Sequence, residues 1–584
     1  MKVPIKRYID LLGKYMLSHR LLVIGIIFGL FAGIGLQLLN PQFMRYFIDN
    51  AIDTSATAPP LKKLTLIAFL ILTVAIIRQF LGLMTVYFGQ NLAWSSTNSL
   101  REDLASHCLN LDMSFHNSRT PGELLQRLDG DVGVLGNFFS TFLVTIAGNI
   151  LLIIGVLLIL FFENVVLGIA FTCLTVISLF CLLIIRRIAV PYNIKFFQAG
   201  SELFGFIEER LSGIEDIQSL GAGAYVLRKL FELNRKVFRT ARMSAFMGSL
   251  IGMSMQKSMQ ISQVLGLLIG GYLFLKGEIT IGTVFMLTMY ILHLAGPLQA
   301  ITTQIGDFQQ SGASIARIEE LFKIKNKIID GDGALIPEVP LSVEFKDVNF
   351  SYVEGERILK NVSFNLAKGK VLGLLGKTGS GKTTIGRLLF RFYDPDNGDI
   401  FLNGQPVKGY MIHDLRSNVG MITQDVELFQ SSVRDNLTFF NPDIPDQKIL
   451  DAIGDLGLTE WYQSLPDGLD THIGHGMNKF SAGEEQLFAF IRIFLKNPGL
   501  IILDEATSRL DLATEQLIEK AIERLCKDKT VIIIAHRLST VNKADDIIIL
   551  EKGIIVESGS REALVSESTS RFNNLLKVGL EEIS

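Results

Sequence analysis

Cysteine is scarce: Cys108, Cys173, Cys181 and Cys526 are the four in 584 residues, and no CxxC pair occurs. A disulfide framework and a structural zinc site are therefore excluded as organising elements. Neither sign of charge dominates either. The formal net charge is -3, which leaves no general electrostatic footprint for nucleic acid. What the chain has in quantity is apolar surface, with a hydrophobic fraction of 49% and a mean hydropathy of +0.37. It is also too long for one compact domain. The apolar runs concentrate in the first half, whereas the last roughly 240 residues read as a soluble α/β domain.

A membrane-spanning helix needs about 20 mostly apolar residues. Segments 21–48, 65–93, 139–162, 165–185, 246–275 and 281–304 qualify. Six spans place both termini on one side, the cytosolic one if the second half uses ATP. Basic residues agree in part: Arg186, Arg187, Lys195, Arg210, Arg228 and Lys229 fall in an inside stretch, and Lys62 and Lys63 go against it. Residues 4–20 carry Lys6, Arg7, Lys14 and Arg20 at helical spacing without a cleavage site. They read as an amphipathic helix on the inner membrane face, or as a cytosolic extension of the first span. With no Arg/Ser-rich, acid-poor transit segment, a bacterial plasma membrane is the expected location.

Residues 94–138 and 186–245 keep helical periodicity with interspersed charge, so they are expected to be cytosolic extensions of spans. Each reverses once, near 115–132, where Thr120-Pro121-Gly122 supplies a helix start, and near 213–225. Ionisable residues inside the apolar runs are costly. Arg78 in the second span and Lys257 in the fifth, beside Gln256, Gln260 and several methionines, are read as facing a water-filled cavity and its cargo. An ion pair or snorkelling is the alternative.

In the second half, residues 371–390 read as buried strand, glycine-rich turn and helix. Within them Gly376, Lys377, Thr378, Gly379, Ser380, Gly381, Lys382 and Thr383 match G-x-x-x-x-G-K-[ST], and Thr384 follows in the helix. The glycines let backbone N–H groups curl around phosphate, and the helix start adds its positive end. Lys382 is expected on the β- and γ-phosphates of ATP and Thr383 on Mg2+. Four apolar residues then lead into Asp504 and Glu505. Asp504 is expected to hold Mg2+ through water, and Glu505 to orient the attacking water. A further buried strand leads to His536, expected beside the γ-phosphate.

These motifs resemble an ABC transporter half-subunit of the exporter type, over nearly the full length. The expected fold is multidomain, with an all-α membrane domain of six spanning helices followed by an α/β P-loop nucleotide-binding domain. The expected division is 1–320 membrane domain, 321–340 linker and 341–584 cassette domain. The resemblance implies that Tyr352 stacks on adenine, that Gln424 senses Mg2+ and the γ-phosphate, and that Asp511 contacts the opposite subunit. LKGEITIGTV and AGPL in the membrane half resemble the family's stretch before and within the sixth helix, and the two reversals correspond to its coupling helices.

The family's signature loop, usually LSGGQ, corresponds to FSAGE here. Ser481 and Gly483 stand in place, but Ala482 and Glu484 replace a glycine and a glutamine. His475 and Met477 also depart from the family pattern just before it. A carboxylate at 484 opposes phosphate unless it is paired or turned away. The resemblance implies a dimer in which each signature caps the partner's ATP, and both a homodimer and a heterodimer fit. The expected function is ATP-driven export of a hydrophobic or amphipathic drug, lipid or peptide by alternating access. An ATP-gated channel or membrane regulator is the alternative. Membrane lipid is an expected partner and nucleic acid is not. No peptidase segment precedes the first helix, which argues against an exporter that also processes its peptide cargo.

Overall fold

The computed structural model describes residues 13–52, 61–333, 339–353, 355–474, 480–504, 512–535, 541 and 543–577. Among them, six helices are long and apolar enough to cross a membrane. The chain divides into two compact units, Met1–Leu109 with Pro121–Ile324, and Asn110–Thr120 with Lys325–Ser584.

The helices up to residue 323 include α1 (Arg20–Ile52), α2 (Leu61–Leu109), α3 (Met113–Asn117), α4 (Val132–Thr141), α5 (Gly148–Glu163), α6 (Val165–Ser212), α7 (Ile214–Ser219), α8 (Gly223–Leu275) and α9 (Ile281–Lys323). At 53 residues, α8 runs about 80 Å, far more than the ~30 Å of a bilayer core. The surplus in α2, α6 and α8 forms the extensions foreseen from sequence. The second reversal is α7, entered at Gly213 and left through Gly221, whose φ of +63° suits a residue without Cβ. The core of this unit gathers Leu152, Val156, Phe171, Met286, Leu287 and Tyr290 from α5, α6 and α9. At one end of the spans, Asp49 accepts hydrogen bonds from the Gly282 N–H (2.9 Å) and the Thr280 hydroxyl (2.8 Å), while Arg45 pairs with Glu163. The starting segment 4–12 lies outside the described residues.

The first reversal, α3, belongs to the second unit. Asp112 caps it by accepting from the Ser114 and Phe115 N–H groups, and also accepts from the Lys327 N–H at 2.7 Å. Burial alone would raise the Asp112 pKa, but hydrogen bonds from Ser114, Lys327 and Phe115 outweigh it and hold the carboxyl below its usual range. Pro121 then opens the next helix, Pro121–Leu125, where its missing N–H costs nothing.

The second unit carries two sheets. Strands β1 (Val343–Ser351), β2 (Arg357–Leu366), β4 (Asn397–Leu402) and β5 (Gln405–Pro406) form one, in the order β2-β1-β4-β5. The other has the order β10-β9-β3-β8-β7-β6, from β3 (Val371–Leu375), β6 (Val419–Ile422), β7 (Leu500–Asp504), β8 (Thr530–Ile534), β9 (Asp546–Glu551) and β10 (Ile554–Ser560). Its four pairings from β9 to β6 are parallel, and only β10 runs antiparallel. Both faces are covered, as a parallel sheet requires. Leu500 and Ile502 of β7 enter one core with Leu374 and Ile534, while Ile501 and Leu503 enter the other with Leu375 and Ile533. The helices that bear on the site are α10 (Lys382–Leu389), α11 (Val433–Thr438), α12 (Ala482–Lys496) and α13 (Leu512–Leu525).

Candidate functional site

Strand register decides which residues meet. Leu374 of β3 aligns with Ile534 of β8, and Ile534 aligns with Asp504 of β7. Ile422 of β6 aligns with Leu503. The loop after β3, the acid ending β7 and Gln424 two residues after β6 therefore emerge at one carboxyl edge of the sheet. That edge is where open parallel sheets bind ligands.

The loop between β3 and α10 is held in a curl that side chains would forbid. Gly376, Gly379 and Gly381 have φ of +148°, +80° and +105°. A Cβ on Gly376 would lie 2.2 Å from the Leu550 carbonyl oxygen, and one on Gly381 would lie 2.6 Å from Leu359. Lys382 Nζ donates to the carbonyls of Gly376 (2.5 Å) and Lys377 (3.2 Å), so its charge sits inside the curl. The Ser380 hydroxyl is buried with no hydrogen-bond partner among the described residues. Gly376→Ala is expected to displace the loop from β9, lower stability by about 1–3 kcal/mol and weaken nucleotide binding. Thermal denaturation and nucleotide titration of the variant check this.

Two adjoining cavities share this edge. One, of about 500 Å³, is lined by Thr378, Gly379, Ser380, Gly381, Lys382, Thr383, Thr384, Tyr352, Ile358, Gln424 and Asp504. The other, of about 590 Å³, shares Tyr352, Thr383, Thr384, Gln424 and Asp504 and adds Arg387, Tyr393, Met113 and Asn117. Tyr352 is positioned from three sides. Its hydroxyl lies 3.2 Å from Thr384 Oγ1 and accepts from Arg387 at 3.3 Å, and its ring meets Tyr393 edge-on at 5.1 Å. Burial raises the Tyr393 pKa, with Tyr352 adding to the effect, so its hydroxyl stays neutral while accepting from Asn117 Nδ2 at 2.6 Å. The first reversal is thereby joined to the Tyr352 platform. Motif reading did not find Asn117, Tyr393 or Arg387, because no local signal marks a contact spanning 276 residues.

Thr383 and Asp504 face the cavities with oxygen donors only, the hard set that suits Mg2+. Ser481 and Gly483 line neither cavity. Ser481 caps α12, and a reciprocal capping box joins it to Glu484. The Glu484 carboxylate accepts from the Ser481 N–H (2.9 Å) and hydroxyl (3.0 Å). The acid that sequence reading set against phosphate is thus paired within its own loop. Glu505, Asp511 and His536 lie outside the described residues, as do His475 and Met477.

Behind the site, Arg492 of α12 donates to the Asn436 carbonyl of α11 at 2.8 Å and lies 4.4 Å from the centre of the Phe439 ring. Burial pushes its pKa down to about 10. In the membrane unit, Arg78, Gln256, Lys257 and Gln260 are exposed, and Lys257 donates to Gln260 at 3.2 Å. The neighbouring methionines do not share that surface as a set, since Met255 packs with Leu182 and Leu298.

Comparisons with known proteins bear on both units. A family profile described as "ABC transporter transmembrane region" matches residues 22–298, and one described as "ABC transporter" matches 359–508. A Staphylococcus aureus (strain NCTC 8325 / PS 47) protein, named as a candidate multidrug export ATP-binding/permease protein, is 31% identical over 580 residues, covering 96% of this chain and 98% of that one. YheH of Bacillus subtilis (strain 168), named as a candidate multidrug resistance ABC transporter ATP-binding/permease protein, is 31% identical over 486 residues, covering 82% and 72%. The structure of a bacterial Atm1-family ABC exporter with ATP bound superposes with a TM-score of 0.81 at 25% identity, covering 96% of this chain and 99% of that one.

Proposed function

The chain belongs to the ABC transporter family, and from that premise we propose that it is one half of a dimeric exporter that couples Mg2+-dependent ATP hydrolysis to outward movement of an amphipathic cargo. It is a multi-pass protein of the bacterial plasma membrane, with ATP use in its second unit driving export. The observation that carries the reading is the convergence of the glycine curl, Lys382, Thr383, Asp504 and Gln424 on one sheet edge, in a chain that also has six spanning helices. The proposed division into a membrane domain (1–320), a linker (321–340) and a cassette domain (341–584) follows the same reading.

The roles follow from charge and position. Loop N–H groups and Lys382 bind the phosphates, and the Tyr352 face receives adenine. Thr383 and Asp504 would hold Mg2+, with Gln424 beside them, and the ion would supply positive charge to offset that of the phosphates. Glu505 orients the attacking water and His536 hydrogen-bonds the γ-phosphate. Asp511 faces the opposite subunit. ATP favours the paired state of two such units, and each conformational step is a population shift set by differential binding. Asn117 and Tyr393 supply a direct mechanical link from the Tyr352 platform to the first reversal. The names of the relatives support a hydrophobic or amphipathic cargo.

Ser481 and Gly483 cap the partner's ATP. The Glu484 carboxylate holds the two Ser481 donors that a γ-phosphate would use, so it competes with the partner's nucleotide. This supports pairing with a different half-transporter whose own signature is unencumbered, rather than with a second copy. Glu484→Gln is expected to raise ATP hydrolysis of the chain expressed alone by about three- to ten-fold, the scale of one charge-assisted hydrogen bond. ATPase assays on the purified wild-type chain in lipid test both points. Robust hydrolysis stimulated by cargo, from the chain alone, would sink the obligate-heterodimer reading. Chelating Mg2+ is expected to abolish hydrolysis while leaving the fold intact, as measured by activity and circular dichroism together.

A further inference from the structure

The Tyr352 ring is not held by regular structure. It follows directly on β1, which ends at Ser351, and 39% of its surface is exposed. Side chains must therefore set its place. Phe350 and Tyr393 meet the ring edge-on, with centres 4.9 Å and 5.1 Å away. Edge-on ring contacts are satisfied over separations of about 4.5–7 Å, so they confine the ring without fixing it. The hydroxyl is the directional handle.

That hydroxyl has two partners, and both stand on α10. It lies 3.2 Å from Thr384 Oγ1 and accepts from the Arg387 guanidinium at 3.3 Å. Three residues apart, Thr384 and Arg387 share one helix face. The turn that begins α10 also delivers Lys382 and Thr383 to the cavity at the glycine curl. One helix thus carries the phosphate-facing groups at its start and the grip on the ring within the next turn. Helix register sets the span between a bound triphosphate and the base platform. The guanidinium carbon lies 5.9 Å from the ring centre, at the outer limit for a cation over a ring face. Arg387 therefore holds the hydroxyl end and leaves a face for the base. It lines the cavity beside Tyr393 and not the one lined by the curl.

We propose that Arg387 is a positioning residue for the nucleotide: by holding the Tyr352 hydroxyl it fixes the ring where adenine stacks, without touching the phosphates. This rests on the reading of Tyr352 as the adenine platform and names the residue that orients it. A lysine at 387 offers the same hydroxyl an N–H without the fixed fork of a guanidinium, so it substitutes in part.

The test uses the full chain in its functional dimer, in lipid nanodiscs. Steady-state ATP hydrolysis is measured with and without tripolyphosphate, a competing probe that has no base. Arg387→Ala is expected to raise KM for ATP about three- to ten-fold, the scale of one hydrogen bond, with kcat within about two-fold. Inhibition by tripolyphosphate is expected to match wild type, because the curl and Lys382 are untouched. Arg387→Lys is expected to recover most of the loss. Tyr352→Phe removes the hydroxyl and is expected to match Arg387→Ala, with no further loss in the double variant. An unchanged KM in Arg387→Ala overturns the proposal. A parallel loss of tripolyphosphate inhibition also overturns it, since the guanidinium then acts on the phosphates or their loop. Additive losses in the double variant do the same. Tyr352→Ala separates this proposal from the reading beneath it. If that variant leaves KM unchanged, the adenine platform itself fails; if it raises KM while Arg387→Ala does not, only the positioning role fails.

Discussion

Glu505→Gln is expected to bind ATP with near wild-type affinity and to hydrolyse it about 10²- to 10⁴-fold more slowly, the contribution typical of a positioned base. The amide keeps the size and one acceptor of the carboxylate but loses its charge and proton affinity, so water is no longer polarised for attack. Asp504, one residue earlier and buried at the end of β7, remains to support the bound nucleotide. Binding and turnover are thereby separated in one variant, read by nucleotide titration and by phosphate release. Near-normal phosphate release would remove Glu505 from its assigned role.

Lys382→Ala is expected to lose both, with hydrolysis down by at least about 10²-fold, the usual cost of removing one preorganised donor from a developing charge. The geometry explains why no neighbour substitutes. Lys382 is buried, and its ammonium is held by the carbonyls of Gly376 and Lys377 at the centre of the curl. The Lys377 side chain is exposed and lines neither cavity. Loss of the ammonium leaves the phosphate charge to backbone N–H groups alone. The contrast is diagnostic: the Lys382 variant fails in binding, the Glu505 variant only after it. Isothermal titration beside steady-state turnover distinguishes the two.

The sequence was most legible where chemistry restricts residue choice. A phosphate loop needs glycine at strained positions and a lysine at a fixed offset, so residues 376–384 declared themselves, and the structure puts their positive φ angles and the Lys382 ammonium in one curl. Long apolar runs declared the six spans for the same reason, since hydrocarbon tolerates little else. Contacts between distant segments left no such mark. Asn117 meeting Tyr393, and Gln37 meeting His293, depend on how helices and loops pack, and single polar residues in otherwise ordinary stretches carry no periodic signal. Glu484 lies between these cases. Its charge was visible beside the signature, but its pairing with Ser481 is a matter of rotamer and cap geometry.

Transport itself is the most direct test of the central claim that ATP hydrolysis in this chain moves cargo across the membrane. Inside-out vesicles carrying the chain in its functional dimer, loaded externally with a fluorescent amphiphile, are compared with vesicles carrying Glu505→Gln. The account predicts accumulation that requires both ATP and Mg2+ and disappears in the variant. Accumulation of equal rate and extent in the Glu505→Gln vesicles, or with a non-hydrolysable ATP analogue, would contradict it.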